Sequence, residues 1–316
     1  GYEKDNFVRL EAFPEAWRGA PAAASLTFRS VPEVAARISG LVAGDYDMAV
    51  DIPTDQWDIV EGYPDLVLKT MPIENSHVLV FNMADSVIGD KNLRHAMSLA
   101  IDRKALIDAL WKGQTFTPNG LQLPSFGPLY EASRRGYVFD PEAARAALAK
   151  SSYKRQEISY RLIPNYYTYN VEVAQIIQEM WRAVGINSRI DFVDSFKEVR
   201  ADGMQVHAWS NTFRIPDPTG SIIPLYGPGV AMQDDYKYFI APKEFNDLAT
   251  AVASTTDVAQ RKKDFQRMLD IFEDEMPMTM LYNPVLAYAM KNTLEWQPYS
   301  QFYMDFAPAN FSIAGK

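Results

Sequence analysis

Cysteine is absent from the 316 residues, which excludes disulfides, thiolate zinc sites and cysteine nucleophiles. Histidine is almost as scarce. His77, His95 and His207 stand far apart, with no HExxH or similar ligand spacing. No stretch approaches the ~20 uninterrupted apolar residues that a membrane span requires. Positive charge is in the minority, 31 Lys and Arg against 40 Asp and Glu, and the net charge of -9 argues against nucleic acid or an anionic membrane surface as the main partner. No charged-then-apolar leader opens the chain at Gly1-Tyr2-Glu3-Lys4, so any signal peptide would have been removed or would lie upstream.

The motifs of catalysis are missing too. GxSxG, Walker and GxGxxG patterns do not occur. Ser151-Ser152-Tyr153-Lys154 satisfies S-x-x-K, but its companions S-D-N and K-T-G are absent, and the segment reads as a polar turn. Carboxylate pairs such as Asp45/Asp47, Asp191/Asp194 and Asp234/Asp235 are what any acidic surface supplies. No catalytic activity, cofactor or resident metal is expected.

What the sequence does have is apolar and aromatic mass. Hydrophobic residues make up 47%, enough for a large core, and with 17 Phe, 17 Tyr and 6 Trp some rings must line surfaces or clefts. Periodicity places a strand at Phe7–Phe13, another at Leu26–Arg29, a helix capped by Ser30 and ended by Gly44, and a strand at Tyr46–Val50. Val78–Asn82 is apolar on both faces, hence a buried strand. Helices are expected after Asp90, over Lys104–Trp111, after Asp140-Pro141-Glu142 and over Thr168–Val184. The last lies between strands at 158–163 and 186–192, a pattern that predicts a right-handed crossover in a mostly parallel sheet. Residues 114–139 and 217–242 read as irregular. Helices near 243–254 and 257–274 precede short strands at 278–282 and 285–288.

One block is more specific. Asp90-Lys91-Asn92-Leu93-Arg94-His95-Ala96 and Ser98-Leu99-Ala100-Ile101-Asp102-Arg103 resemble the signature of the peptide/nickel/opine-type extracellular solute-binding proteins of ABC importers. Further similar marks follow in order. They are Thr117-Pro118-Asn119-Gly120, Asp140-Pro141-Glu142-Ala143-Ala144, Ala183-Val184-Gly185-Ile186, Trp209 with Asp217-Pro218, and Met276-Pro277-Met278. Upstream, Leu41-Val42-Ala43-Gly44-Asp45-Tyr46-Asp47 looks like the family's L-x-x-G-x-x-D turn. The resemblance covers nearly the whole chain.

It implies an α/β, periplasmic-binding-protein-like, two-lobe architecture. Members of the family are longer, so the chain would be their C-terminal portion. Residues 1–75 would be part of lobe I, 76–276 a complete lobe II, and 277–316 a return to lobe I. The strands near 78–82 and 278–282 would form the hinge. Ligand in such proteins lies in the cleft, against loops at the carboxyl ends of strands. The segments expected there are Asn165-Tyr166-Tyr167 and Trp209 through Asp217, with Asn211 and Arg214 in the second, and Asn82 at the end of the hinge strand. Peptide-binding relatives place an aspartate after the Trp to neutralise the peptide's α-ammonium. Here Arg214 or Thr212 occupies that place, according to the alignment chosen. Arginine offers a donor fork suited to a carboxylate or phosphate; alternatively Arg214 pairs with Asp217 or points to water.

The functional expectation is a periplasmic or otherwise extracytoplasmic solute-binding component. It would deliver an oligopeptide, opine or sugar derivative, with an anionic group, to a membrane permease of an ABC importer. The alternative is the ligand-sensing domain of a transcription regulator built on the same fold.

Overall fold

The computed structural model describes residues 1–301 and 303–315. The chain divides into two compact units, Gly1–Ile73 with the residues from Val285 onward, and Glu74–Pro284.

The first unit opens with β1 (Tyr2–Glu3), β2 (Phe7–Glu11) and β3 (Ser25–Arg29), an antiparallel sheet in that order. α1 (Val34–Ala43) follows, then β4 (Met48–Val50), α2 (Trp57–Glu61) and β5 (Leu66–Pro72). Ser30 does not cap α1. Its N–H donates to the Asn6 carbonyl at 2.8 Å, which prolongs the β2–β3 hairpin, and the helix starts beyond Pro32, with Glu33 at the cap position and no side-chain bond. Gly44 closes the helix in the left-handed region at φ 86°, where a Cβ would be strained.

The second unit contains β6 (Asn75–Phe81), α3 (Lys91–Leu99), α4 (Arg103–Trp111), α5 (Pro141–Lys150), β7 (Ile158–Leu162), α6 (Asn170–Val184) and β8 (Ser188–Phe192). Then come α7 (Phe196–Val199), β9 (Val206–Thr212), α8 (Ile223–Tyr226), α9 (Ala231–Asp234), α10 (Lys243–Ser254), α11 (Val258–Glu275) and β10 (Met278–Tyr282). The helix starts follow from their caps. The carboxylates of Asp90, Asp102, Asp140 and Asp257 each accept backbone N–H groups in the first turn of α3, α4, α5 and α11.

The five strands lie in the order β10-β6-β9-β7-β8. β7 pairs in parallel with β8 and β9, whereas β6 pairs antiparallel with both β9 and β10. Four strands therefore run one way, and β6 is inserted against them. Every residue of β6 and of β10 is buried. One face of the sheet packs Val78, Val80, Met278 and Met280 on α10 and α11 through Phe245, Phe265, Leu269 and Phe272. Helices from the other half of the unit supply further core, with the Trp181 ring 5.8 Å from Tyr160 and its N–H donating to the Met97 carbonyl.

Both boundaries differ from the expectation, and the first crossing falls at Ile73–Glu74 instead of after residue 75. The chain was expected to return to the first unit after residue 276, but β10 pairs with β6 from Met278 to Tyr282, and the crossing falls at Pro284–Val285. The strands assigned to the hinge are thus ladder partners within one sheet, β6 inside it and β10 at its edge, and both are completely buried. From Val285 the first unit resumes with β11 (Val285–Lys291), between β4 and β5, and with β12 (Leu294–Trp296) paired to β13 (Phe311–Ile313).

Candidate functional site

β7, β8, β9 and β10 all end at one edge of the second unit's sheet, and β6 begins there, with Asn75 opposite Thr212 and His77 opposite Tyr282. The carboxyl edge of an open α/β sheet is where backbone ladders stop and loops present side chains. Here the loop from β7 to α6 is braced by Asn170, whose amide donates to the Ile163 carbonyl at 2.6 Å and accepts from the Asn165 N–H at 3.1 Å. Asn165 and Tyr169 adopt positive φ, 59° and 62°, in the turn that brings Tyr167 to β9 and Tyr166 to Phe196.

On one face, the Tyr167 hydroxyl donates to Ser210 Oγ at 3.1 Å and its ring lies 4.5 Å from His77. The His77 ring lies 5.4 Å from Tyr282, which in turn lies 5.6 Å from Trp111 at the end of α4. Arg103 fixes that helix by donating to the Met280 carbonyl and Thr279 Oγ1, both at 2.6 Å. Burial pushes the His77 imidazole down to about 3, so it stays neutral near pH 7. Burial also raises the Tyr167 hydroxyl to about 12, against the opposing pull of Ser210 and of the Arg200 charge.

Strand alternation puts Trp209 and Asn211 on the opposite face, beside their ladder partners Val78 and Ser76. Ser76 Oγ donates to Asn283 Oδ1 at 2.6 Å. Asn211 is 0% exposed, and neither its Nδ2 nor its Oδ1 has a hydrogen-bond partner among the described residues. An unpartnered buried amide costs about 1–3 kcal/mol. Trp209 continues a run of edge-to-face rings: Tyr167 to Tyr166 at 4.7 Å, Tyr166 to Phe196 at 4.8 Å, Phe196 to Trp209 at 5.0 Å. The Arg200 guanidinium stacks 4.5 Å from the Trp209 ring centre, with Tyr236 and Phe196 at 5.3 and 5.5 Å.

The residues expected from sequence divide clearly. Tyr166, Tyr167 and Trp209 come together through Phe196, and Asn211 shares the face of β9 that carries Trp209. Trp209 through Thr212 form part of β9, not a loop, because the ladder with β6 extends to Thr212. Arg214 follows the strand, is exposed, and has no side-chain hydrogen bond or ion pair among the described residues. It does not pair with Asp217. That carboxylate caps the turn at Thr219 and takes two bonds from Arg261, at 2.6 and 2.7 Å. Burial alone would raise the Asp217 carboxyl; the Arg261 and Thr219 bonds outweigh it and hold it below the usual range. Asn82 lies at the other end of the sheet, about 20 Å away at ~3.3 Å per strand residue, its amide committed to the Met204 carbonyl and the Ala84 N–H.

Sequence reasoning missed His77, Trp111, Arg200, Tyr236 and Tyr282. The first and last meet only because β6 and β10 pair, which no local pattern shows. Arg200 carried one signal, the spacing Phe196-x-x-x-Arg200, which sets ring and guanidinium on one side of a helical turn.

Comparison with known proteins fits this architecture. Residues 1–233 match the model of "Bacterial extracellular solute-binding proteins, family 5 Middle". The glutathione-binding protein GsiB of Shigella flexneri serotype 5b is 23% identical over 292 residues, covering 87% of this chain and 56% of that protein. The dipeptide-binding protein of Escherichia coli K12 is 23% identical, covering 89% and 54%. The chain thus spans about half the length of these curated relatives. Among solved structures, a dipeptide-binding protein from Pseudoalteromonas sp. SM9913 in complex with Met-Leu superposes with a TM-score of 0.83 at 19% identity, over 99% of this chain and 63% of that one. AgaA of A. tumefaciens R10 in complex with agropinic acid gives 0.82 at 20% identity, over 100% and 66%. Those likenesses show a periplasmic-binding-protein-like α/β fold. With the family model matched over most of its length, the chain belongs to family 5 of the bacterial extracellular solute-binding proteins.

Proposed function

We propose that the protein is the solute-binding component of an ABC importer, acting outside the cytoplasmic membrane. It takes a peptide-like, opine-like or sugar-derived solute with an anionic group and hands it to a membrane permease. No bond is made or broken; the work is a difference in affinity between conformations. The relatives named above support a peptide-like or opine-like solute, and glutathione, Met-Leu and agropinic acid all carry a carboxylate.

The observation that carries the reading is Asn211. A fully buried amide with both polar atoms unfilled weakens the free protein. It is worth keeping where a bound solute completes those bonds, and Asn211 sits at the carboxyl edge on the same face of β9 as Trp209.

The two roles of such a residue have opposite signs. Asn211→Leu, of similar volume, should raise unfolding stability by about 1 kcal/mol or more and weaken solute binding at least tenfold. The measurement is denaturant unfolding together with calorimetric titration of Met-Leu and glutathione on the full chain encoded by the gene. A stabilised variant that binds as tightly as the parent would show that Asn211 only packs. A parent protein that binds neither peptide, nor any component of a casein digest, would overturn the peptide-like reading.

A further inference from the structure

Six arginines of the second unit are buried or half-buried: Arg94, Arg103, Arg134, Arg161, Arg200 and Arg261. Five have their guanidinium groups engaged in hydrogen bonds. Arg94 and Arg161 bond to backbone carbonyls, Arg103 to carbonyls and the Ser98 and Thr279 hydroxyls. Arg134 bonds to Asp270 and Glu273, and Arg261 to Asp217 and the Val252 carbonyl. Arg200 is the exception. Its Nε is buried with no partner, and no acceptor or carboxylate among the described residues takes a bond from its guanidinium.

Rings hold it instead. Contact over the Trp209 ring, with Tyr236 and Phe196 near by, restricts the guanidinium while using none of its N–H groups. The result is a pre-oriented fork with no counter-ion, half shielded from water. A planar carboxylate accepts two parallel N–H bonds from such a fork, and the same rings offer apolar contact to the carbon skeleton behind it. The position is right as well. Phe196 touches Tyr166, and Trp209 is two residues from Asn211 on the same face of β9.

We infer that Arg200, held among the rings of Trp209, Phe196 and Tyr236, is the residue that recognises the carboxylate of the solute. The inference rests on the solute-binding reading above and moves the anionic contact from Arg214 to Arg200. Arg214, exposed and without ring contacts, has nothing to hold its side chain in one orientation. Ordering a free arginine costs side-chain entropy that Arg200 has already lost.

The test varies the solute first, so that it does not depend on any variant folding. The full chain encoded by the gene is offered a protease digest of casein and the same digest with its carboxyl groups amidated, and native mass spectrometry and tryptophan fluorescence follow binding. The free-acid digest should bind, and the amidated components should bind roughly ten- to a hundredfold more weakly, the range set by one charge-assisted pair. Arg200→Met, which keeps the packing on Trp209, should lose the same factor for free acids and nothing for amides. Arg200→Lys, charged but without the planar fork, should recover part of it, and Arg214→Met should bind as the parent does. Equal binding of acid and amide, or a loss in Arg214→Met with none in Arg200→Met, overturns the assignment and leaves the solute-binding reading standing. No binding of either digest to the parent overturns both.

Discussion

Strands β2 and β6 make an instructive pair. Phe7-Val8-Arg9-Leu10-Glu11 alternates, but Val8 and Leu10 remain 46% and 51% exposed. Asn75 through Phe81 has every residue buried. The difference lies in what covers each strand. β6 sits between β9 and β10, with helices over both faces. β2 lies in a three-stranded sheet that leaves Trp17 93% and Phe13 63% exposed. The first unit also carries a groove of about 720 Å³ lined by Phe28, Met48, Met304 and Phe306. Its core includes a small cluster around Tyr288, Met290, Trp296 and Phe311, with Leu41, Ile52, Trp57 and Val60 also buried. Since a fully buried Leu or Phe contributes roughly 1.5–3 kcal/mol, most of the hydrophobic stabilisation must come from the second unit, where the candidate site is built.

The sharpest break of that comparison is a truncation in β6. Phe81→Ala should cost about 3–5 kcal/mol through lost transfer energy and an uncollapsed cavity, read as a shift of the denaturant midpoint of the second unit. Next comes the Arg94 side chain, which is 1% exposed and donates to the carbonyls of Ile88, Gly89, Glu275 and Met276. Arg94→Met should cost about 3 kcal/mol, because each stranded buried carbonyl bears its own desolvation penalty.

Acid should act through the same region. Burial holds His77 near 3 and His207 near 4 in the folded chain, the latter despite its bond to the Ala208 carbonyl. In the unfolded chain both take up a proton near the ordinary value of about 6.5. Protons therefore favour unfolding below pH ~6.5. Each histidine should remove roughly 1.4 kcal/mol per pH unit until its folded value is reached, and neither should matter above neutrality. Unfolding measured from pH 7.5 to 4.5 should show this slope, and His77→Gln with His207→Gln should flatten it.

The smallest expected effect is on the other side of the comparison. Leu10→Ala in β2 should change stability by less than ~0.5 kcal/mol. A cost above ~2 kcal/mol would mean that the face holding Leu10 is covered by something besides the described residues.

Within the second unit, legibility followed the range of the interaction. Asp90, Asp102, Asp140 and Asp257 mark helix starts because a cap is a bond to an N–H two or three residues on. Tyr166 and Tyr167 were legible as a loop after a strand, and Trp209 and Asn211 as companions of a family motif. Asn82 was misplaced because a strand has two ends, and composition does not say which one a neighbouring strand approaches.

The sequence by itself determined most of the helices and the strands on either side of α1 and α6, the absence of cysteine chemistry and the resemblance that fixes the family. These depend on local periodicity, caps and ordered motifs. Tertiary structure alone decided that β6 runs against the other four strands of its sheet, which carries His77 to Tyr282 and keeps β10 in the second unit. It also decided which arginine is left unpaired. Whether a guanidinium finds a carboxylate, a carbonyl or only aromatic rings depends on contacts between segments distant in the chain, and nothing local shows that Arg261 finds Asp217 while Arg200 finds Trp209.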